Sequence, residues 1–173
     1  MHALLWLACV AAPLIISLLV YGVRARVDGR TWLHSMNESP FAPDPAAHAV
    51  IWTLLYLLVG IAFGWFLHAC LEKFGARSVQ LNQKNQFVWF TTAAAAVILC
   101  TIALVLNHDY LTAFFQKHKL HQSQHTLHWL LVCSVLGTAC VTVCSPFAGA
   151  LLTPYLAYLL VTYRCHQYLL ANN

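Results

Sequence analysis

The chain has 173 residues, of which 61% are hydrophobic and only 8% charged, and its formal net charge is +4. A soluble domain usually carries about 25% charged residues, so this composition excludes a water-soluble globule, while the length suits one domain. The positive charge is ordinary loop basicity and not a nucleic-acid footprint, because no basic stripe is interleaved with aromatic residues.

A helix needs roughly 20 apolar residues to cross a hydrocarbon core of ~30 Å. The run Ala3–Val23 carries no charge and predicts a first span at about 3–24. It lacks a basic leader and is too long for the apolar core of a signal peptide, so it reads as a retained helix, kinked at Pro13. The uncharged run Ala46–Leu71 gives a second span at about 46–71. Phe87–Leu106 is the clean part of a third, at about 86–115. No charge occurs from Leu127 to Tyr163, which is too long for a single crossing. Proline lacks an N–H and clashes with the preceding turn, so the run is cut at Ser145-Pro146. The last two spans then fall at about 122–144 and 147–170. None of these runs alternates with period 2, which excludes a membrane barrel. The expected fold is an all-α integral membrane protein, a five-transmembrane-helix bundle forming a single domain over 1–173.

Loop charges set the expected orientation. Arg24, Arg26, Arg30, Lys117 and Lys119 follow the first and third spans, against Lys73, Arg77 and Lys84 after the second, five against three. The positive-inside rule then places the N-terminus outside and the C-terminus in the cytosol. Seven cysteines stand at 9, 70, 100, 133, 140, 144 and 165, none in a CxxC, and read as reduced packing residues. Cys133, Cys140 and Cys144 share one helix face and suggest a close-packed seam.

Three blocks of sequence are less generic. The first begins at Trp32, continues through a stiff Pro40-Phe41-Ala42-Pro43-Asp44-Pro45 loop, and enters the second span as Ile51-Trp52-Thr53-Leu54-Leu55-Tyr56. Trp52 and Tyr56 are four apart and share a face, with Gly60 and Gly64 at GxxxG spacing behind them. Pattern alone reads this as an interfacial aromatic belt and a close helix contact. The second block is Leu106-Asn107-His108-Asp109-Tyr110-Leu111-Thr112-Ala113-Phe114-Phe115. The third runs Ser145-Pro146-Phe147-Ala148-Gly149-Ala150-Leu151-Leu152-Thr153-Pro154-Tyr155-Leu156-Ala157-Tyr158. In order and spacing these blocks resemble the translocator protein family, also called TspO or the peripheral-type benzodiazepine receptor, over nearly the whole chain. Departures exist: Glu38-Ser39 replaces a Lys-Pro, His108 and Tyr110 replace two tryptophans, and the stretch Leu71–Gln86 is longer than the family usually has.

The resemblance implies a pocket inside the bundle, open to the cytosolic side and covered by the first loop, for tetrapyrroles, sterols and synthetic aromatic ligands. Carried over by position, Trp32 and Phe41 come from the loop and Ala49, Ile51, Trp52 and Tyr56 from the second span. Gln122, His125 and Trp129 come from the fourth span, where the family often has Trp, a small residue and Leu. Tyr158, Thr162 and Cys165 come from the fifth, in place of Trp, Ala and Leu. Such a lining suits a flat amphipathic ligand, with aromatic faces for stacking and a few polar groups to orient it. The family's sterol motif is lost at its aligned place, where Gln167 and Ala171 stand, and a shifted Leu156-x-Tyr158 with Arg164 is a weak substitute. Tyr158 also replaces one of two tryptophans linked, in bacterial relatives, to porphyrin breakdown. Arg164 reads as snorkelling to the cytosolic interface, with a grip on an acidic ligand group as the alternative.

Histidines supply a competing reading. His118, His121, His125 and His128 form a heptad-like stripe, with His108 and Asp109 ending the preceding helix. Such spacing can hold Zn²⁺ or haem iron, or titrate; the plainer reading is a polar cap at the cytosolic end of the fourth span. No Ser/His/Asp triad or carboxylate pair is present in the sequence pattern. Together with the resemblance, which implies the ligand class, this favours a non-enzymatic receptor or translocator-type binder of porphyrin, haem or sterols. No cofactor is obligate, no metal ligand or catalytic residue is assigned, and haem or porphyrin enters as ligand. A porphyrin-modifying enzyme and a metal-handling protein using the His118–His128 stripe are the alternatives. The expected partners are the lipid bilayer, the tetrapyrrole or sterol ligand and a second copy in a homodimer, with no nucleic acid. Family habit points to the mitochondrial outer membrane in eukaryotes.

Overall fold

The computed structural model describes residues 45–74 and 83–173, together with the isolated helical positions 7, 11 and 15. The rest of the expected first span, Trp32, Phe41 and residues 75–82 of the long stretch 71–86 lie outside the described residues. Among the described residues the regular elements are all helical. We number them α1 (Pro45–Phe74), α2 (Gln83–Leu111), α3 (Leu120–Cys144) and α4 (Pro146–Asn172), with a π-helical turn, Thr112–Gln116, closing α2. Each of the four is long and apolar enough to cross a membrane. At 1.5 Å per residue even the shortest, α3 with 25 residues, is about 37 Å long. The second to fifth expected spans therefore have their helices, three of them a few residues longer than read and the third, α2, shifted a few residues toward the N-terminus, and the chain is an integral, multi-pass membrane protein in contact with the lipid bilayer.

The helix boundaries have local causes. Ser145 is extended (φ −150°, ψ 94°), the conformation that a following proline imposes, and Pro146 occupies the first turn of α4, where its missing N–H costs nothing. Pro154 lies inside α4 and leaves the carbonyl of Ala150 without its usual N–H. The hydroxyl of Thr153 donates to that carbonyl, which keeps the backbone satisfied on a face turned to lipid. At the other end of the bundle, the α2–α3 turn closes with Lys117 N donating to Thr112 O at 3.1 Å and Lys119 N to Ala113 O at 3.0 Å. His118 takes a left-handed φ of 52° there, uncommon for a residue with a Cβ.

Two cores stack along the bundle. Phe66, Cys70, Ala96, Val141, Cys144 and Ala148 fill the half near the α3–α4 corner. Tyr110, Phe114, Leu127, Leu130, Leu159 and Leu169 fill the half near the α2–α3 turn. Tyr155 packs against both. Small residues let the helices approach. A Cβ on Gly137 of α3 would stand 3.3 Å from Cys100 Sγ of α2, which places the expected cysteine seam at a close helix contact. The six cysteines among the described residues form no disulfide with one another. Outward, α2 presents Phe87, Val88, Phe90, Val97 and Ile98, a face suited to acyl chains.

Orientation follows from the loop charges, and we expect the C-terminus on the cytosolic side. Glycosylation or cysteine-accessibility tagging at the C-terminus checks this, and a tag found on the non-cytosolic side rejects it.

Candidate functional site

Trp52 is the centre of an aromatic cluster in the half of the bundle that the α2–α3 turn closes. It enters on the second turn of α1, half-buried, one turn before the buried Tyr56. The i,i+4 spacing stacks the two rings, with centroids 5.5 Å apart and planes 28° apart. Two tyrosines of α4 meet Trp52 edge-on, Tyr158 at 5.3 Å and 90° and Tyr155 at 6.1 Å and 69°. These are the geometries aromatic quadrupoles favour. Asn107 of α2, itself buried, donates from Nδ2 to the Tyr56 hydroxyl at 2.8 Å. A buried phenol needs such a partner, and Asn107 thereby fixes the ring on which Trp52 lies.

A second group lies on α3. Trp129 is 48% exposed, and its Nε1 donates to Nε2 of His125 at 3.2 Å. His128 approaches the same indole edge-on at 6.0 Å and reaches Tyr163 of α4 at 6.1 Å. His118, His121, His125 and His128 are all exposed. Among the described residues no three His, Cys, Asp or Glu side chains converge to hold a metal ion.

The third feature is His166 of α4, 1% exposed. Its Nε2 lies 3.1 Å from Leu120 O and 3.0 Å from Ser123 Oγ, while Ser123 Oγ donates to the same carbonyl at 2.8 Å. A carbonyl only accepts, so Nε2 carries the hydrogen. The ring rests against Phe114 at 5.0 Å and Tyr110 at 5.9 Å, and its Nδ1 has no hydrogen-bond partner. One imidazole thus ties the first turn of α3 and the end of α2 to α4.

Of the residues expected to form the site, Trp52, Tyr56 and Tyr158 come together, and so do His125 and Trp129. Thr162 is half-buried one turn beyond Tyr158 and donates to its carbonyl at 2.9 Å. Ile51 and Cys165 are half-buried and Gln122 is exposed on the first turn of α3. Ala49 lies in the helical backbone of α1, while Trp32 and Phe41 fall outside the described residues. Three neighbours escaped the reading of the sequence as site residues: Asn107, Tyr155 and His166. Their available signal was polarity inside a span, since a polar group at that depth is costly unless it has work or a partner.

The exposed stripe carries a prediction. We expect porphyrin binding to survive replacement of His118, His121 and His128 together by glutamine. Glutamine keeps polarity at all three positions, and the helix at His121 and His128, but is a poor ligand for borderline ions. Affinities of the triple variant for haem and metal-free protoporphyrin check this, and a selective loss of haem rejects it.

A comparison with curated proteins returns no match. The family model of TspO/MBR matches residues 9–167, which takes in all three sequence blocks and nearly the whole chain. With membrane-crossing helices where the blocks require them, this chain belongs to the TspO/MBR family.

Proposed function

We propose that this chain, a membrane protein of the translocator and receptor type, binds tetrapyrroles or sterols between its helices and transforms neither. The observation that carries the reading is Trp52, held half-buried against Tyr56, Tyr155 and Tyr158 from two helices. Trp52 stacked on Tyr56 and met edge-on by two tyrosines makes the kind of aromatic surrounding that suits a flat, largely apolar ligand. Asn107 and Tyr56 supply polar groups beside that cluster, and the Trp129–His125 pair of α3 joins the proposed lining by its aligned position in the family. Trp32, Phe41, Ala49, Ile51, Gln122, Thr162 and Cys165 complete the proposed lining. The domain is a single five-helix unit over 1–173, with the first span at about 3–24 completing the bundle. It resides in the mitochondrial outer membrane if the source is eukaryotic, and it forms homodimers through small-residue faces.

Quenching of tryptophan fluorescence tests the reading, with protoporphyrin, cholesterol and Zn²⁺ titrated separately. Saturable quenching by protoporphyrin with unchanged porphyrin recovered afterwards is expected. Saturation by Zn²⁺ alone favours metal handling, and recovery of a chemically altered porphyrin favours an enzyme.

A further inference from the structure

The hydrogen bond between Trp129 and His125 decides what that imidazole can offer a ligand. An indole N–H is a donor only. At 3.2 Å from it, His125 Nε2 must present its lone pair, so the ring hydrogen of the neutral imidazole sits on Nδ1. The arrangement is held from both sides. His125 and His128 stand nearly perpendicular to the indole, at 79° and 80°, and His128 leans on Tyr163 of α4. A histidine binds a metal ion through an unprotonated ring nitrogen. Here the unprotonated nitrogen is already occupied by the indole. Coordination through Nδ1 would first move the hydrogen to Nε2, where it would face the indole N–H, donor against donor.

We propose that Trp129 is a specificity-determining residue of the ligand site. By taking the Nε2 lone pair it prevents His125 from acting as an axial ligand to iron. It leaves this histidine as an Nδ1–H donor suited to a carbonyl or carboxylate oxygen of the ligand. The site therefore recognises the periphery of a tetrapyrrole and ignores its central metal. This rests on the tetrapyrrole reading above.

The test compares protoporphyrin IX with ferric haem on the full chain in nanodiscs, for the wild type, His125→Leu, Trp129→Phe and the Trp129→Phe/His125→Leu double variant. In the wild type the two affinities are expected to be equal, and the haem absorption spectrum unchanged by His125→Leu. Trp129→Phe keeps a ring but frees Nε2. It should raise the haem-to-protoporphyrin affinity ratio about fivefold, the factor one released neutral hydrogen bond corresponds to. It should also shift the main haem band to that of imidazole-bound iron, and the double variant should lose both effects. Using the ratio cancels any loss of stacking common to the two ligands. The inference is overturned if Trp129→Phe leaves ratio and band unchanged, or if wild-type haem already shows an imidazole band that His125→Leu removes. If the wild type binds both porphyrins and Trp129→Phe leaves their ratio unmoved, only this inference is rejected. One that binds neither rejects the tetrapyrrole reading and this inference together.

Discussion

Gly149→Ala is expected to destabilise the protein by about 2 kcal/mol, within the range for forcing a methyl group into a closed contact. Gly149 is buried on the first turn of α4, directly after the Ser145-Pro146 corner. Its N–H donates to Ser145 O at 3.0 Å, and Ser145 N donates to Val141 O at 2.7 Å, so the corner is closed by hydrogen bonds on both sides. An added Cβ would stand 2.8 Å from Cα of Thr142 on α3. The Thr142 hydroxyl and Cβ stand nearer still, but rotating that side chain leaves Cβ and Cα in place, so α3 and α4 would have to part. Because Ala148 and Cys144 belong to the core at that corner, parting the helices opens it. Gly137→Ala is the control. There the new methyl would meet Cys100 Sγ at 3.3 Å and the Cys100 backbone only at 3.7 Å, and a side chain can shift. The roughly 1 kcal/mol that alanine gains over glycine in a helix should offset that contact. Thermal unfolding of both variants in one detergent decides the matter. Equal midpoints for Gly149→Ala and wild type would mean that the corner is looser than described.

Trp52→Ala is expected to weaken porphyrin binding by roughly 1–3 kcal/mol, the range for truncating a packed aromatic anchor. Trp52 is the ring that joins α1 to α4, through Tyr56 on its own helix and Tyr155 and Tyr158 on the other. Truncation removes the stacking face and also unties the two tyrosines, so affinity falls for two reasons that share one cause. Trp65→Ala provides the comparison. Trp65 is on the same helix but 41% exposed, and it packs edge-on against Phe147 at 5.2 Å, toward the other end of the bundle. Its loss should leave binding unchanged. Wild-type affinity in a well-folded Trp52→Ala protein would reduce Trp52 to a packing residue and remove the main support for the proposed site.

The spans and the corner were legible in the amino-acid sequence because their causes are local. A helix crosses the bilayer wherever enough consecutive apolar side chains occur, and α1 to α4 begin and end within a few residues of those runs. Proline acts on its own turn and the residue before it, which fixed Ser145 as the break. The stacking of Trp52 on Tyr56 and the bond from Trp129 to His125 were accessible too, since both pairs are four apart on one helix. Which face of each helix turns inward is another matter. In lipid the outer surface is as apolar as the core, so no periodic polar stripe marks the buried side. Exposed Phe87 and Ile98 and buried Phe66 and Leu127 look alike in sequence. Asn107 meets Tyr56 across 51 residues and Ser123 meets His166 across 43, so only the assembled bundle could pair them. The pairing has a single physical origin: an unpaired polar group costs most where no water reaches, so packing that brings it a partner from another helix is favoured, even though Nδ1 of His166 is left without one.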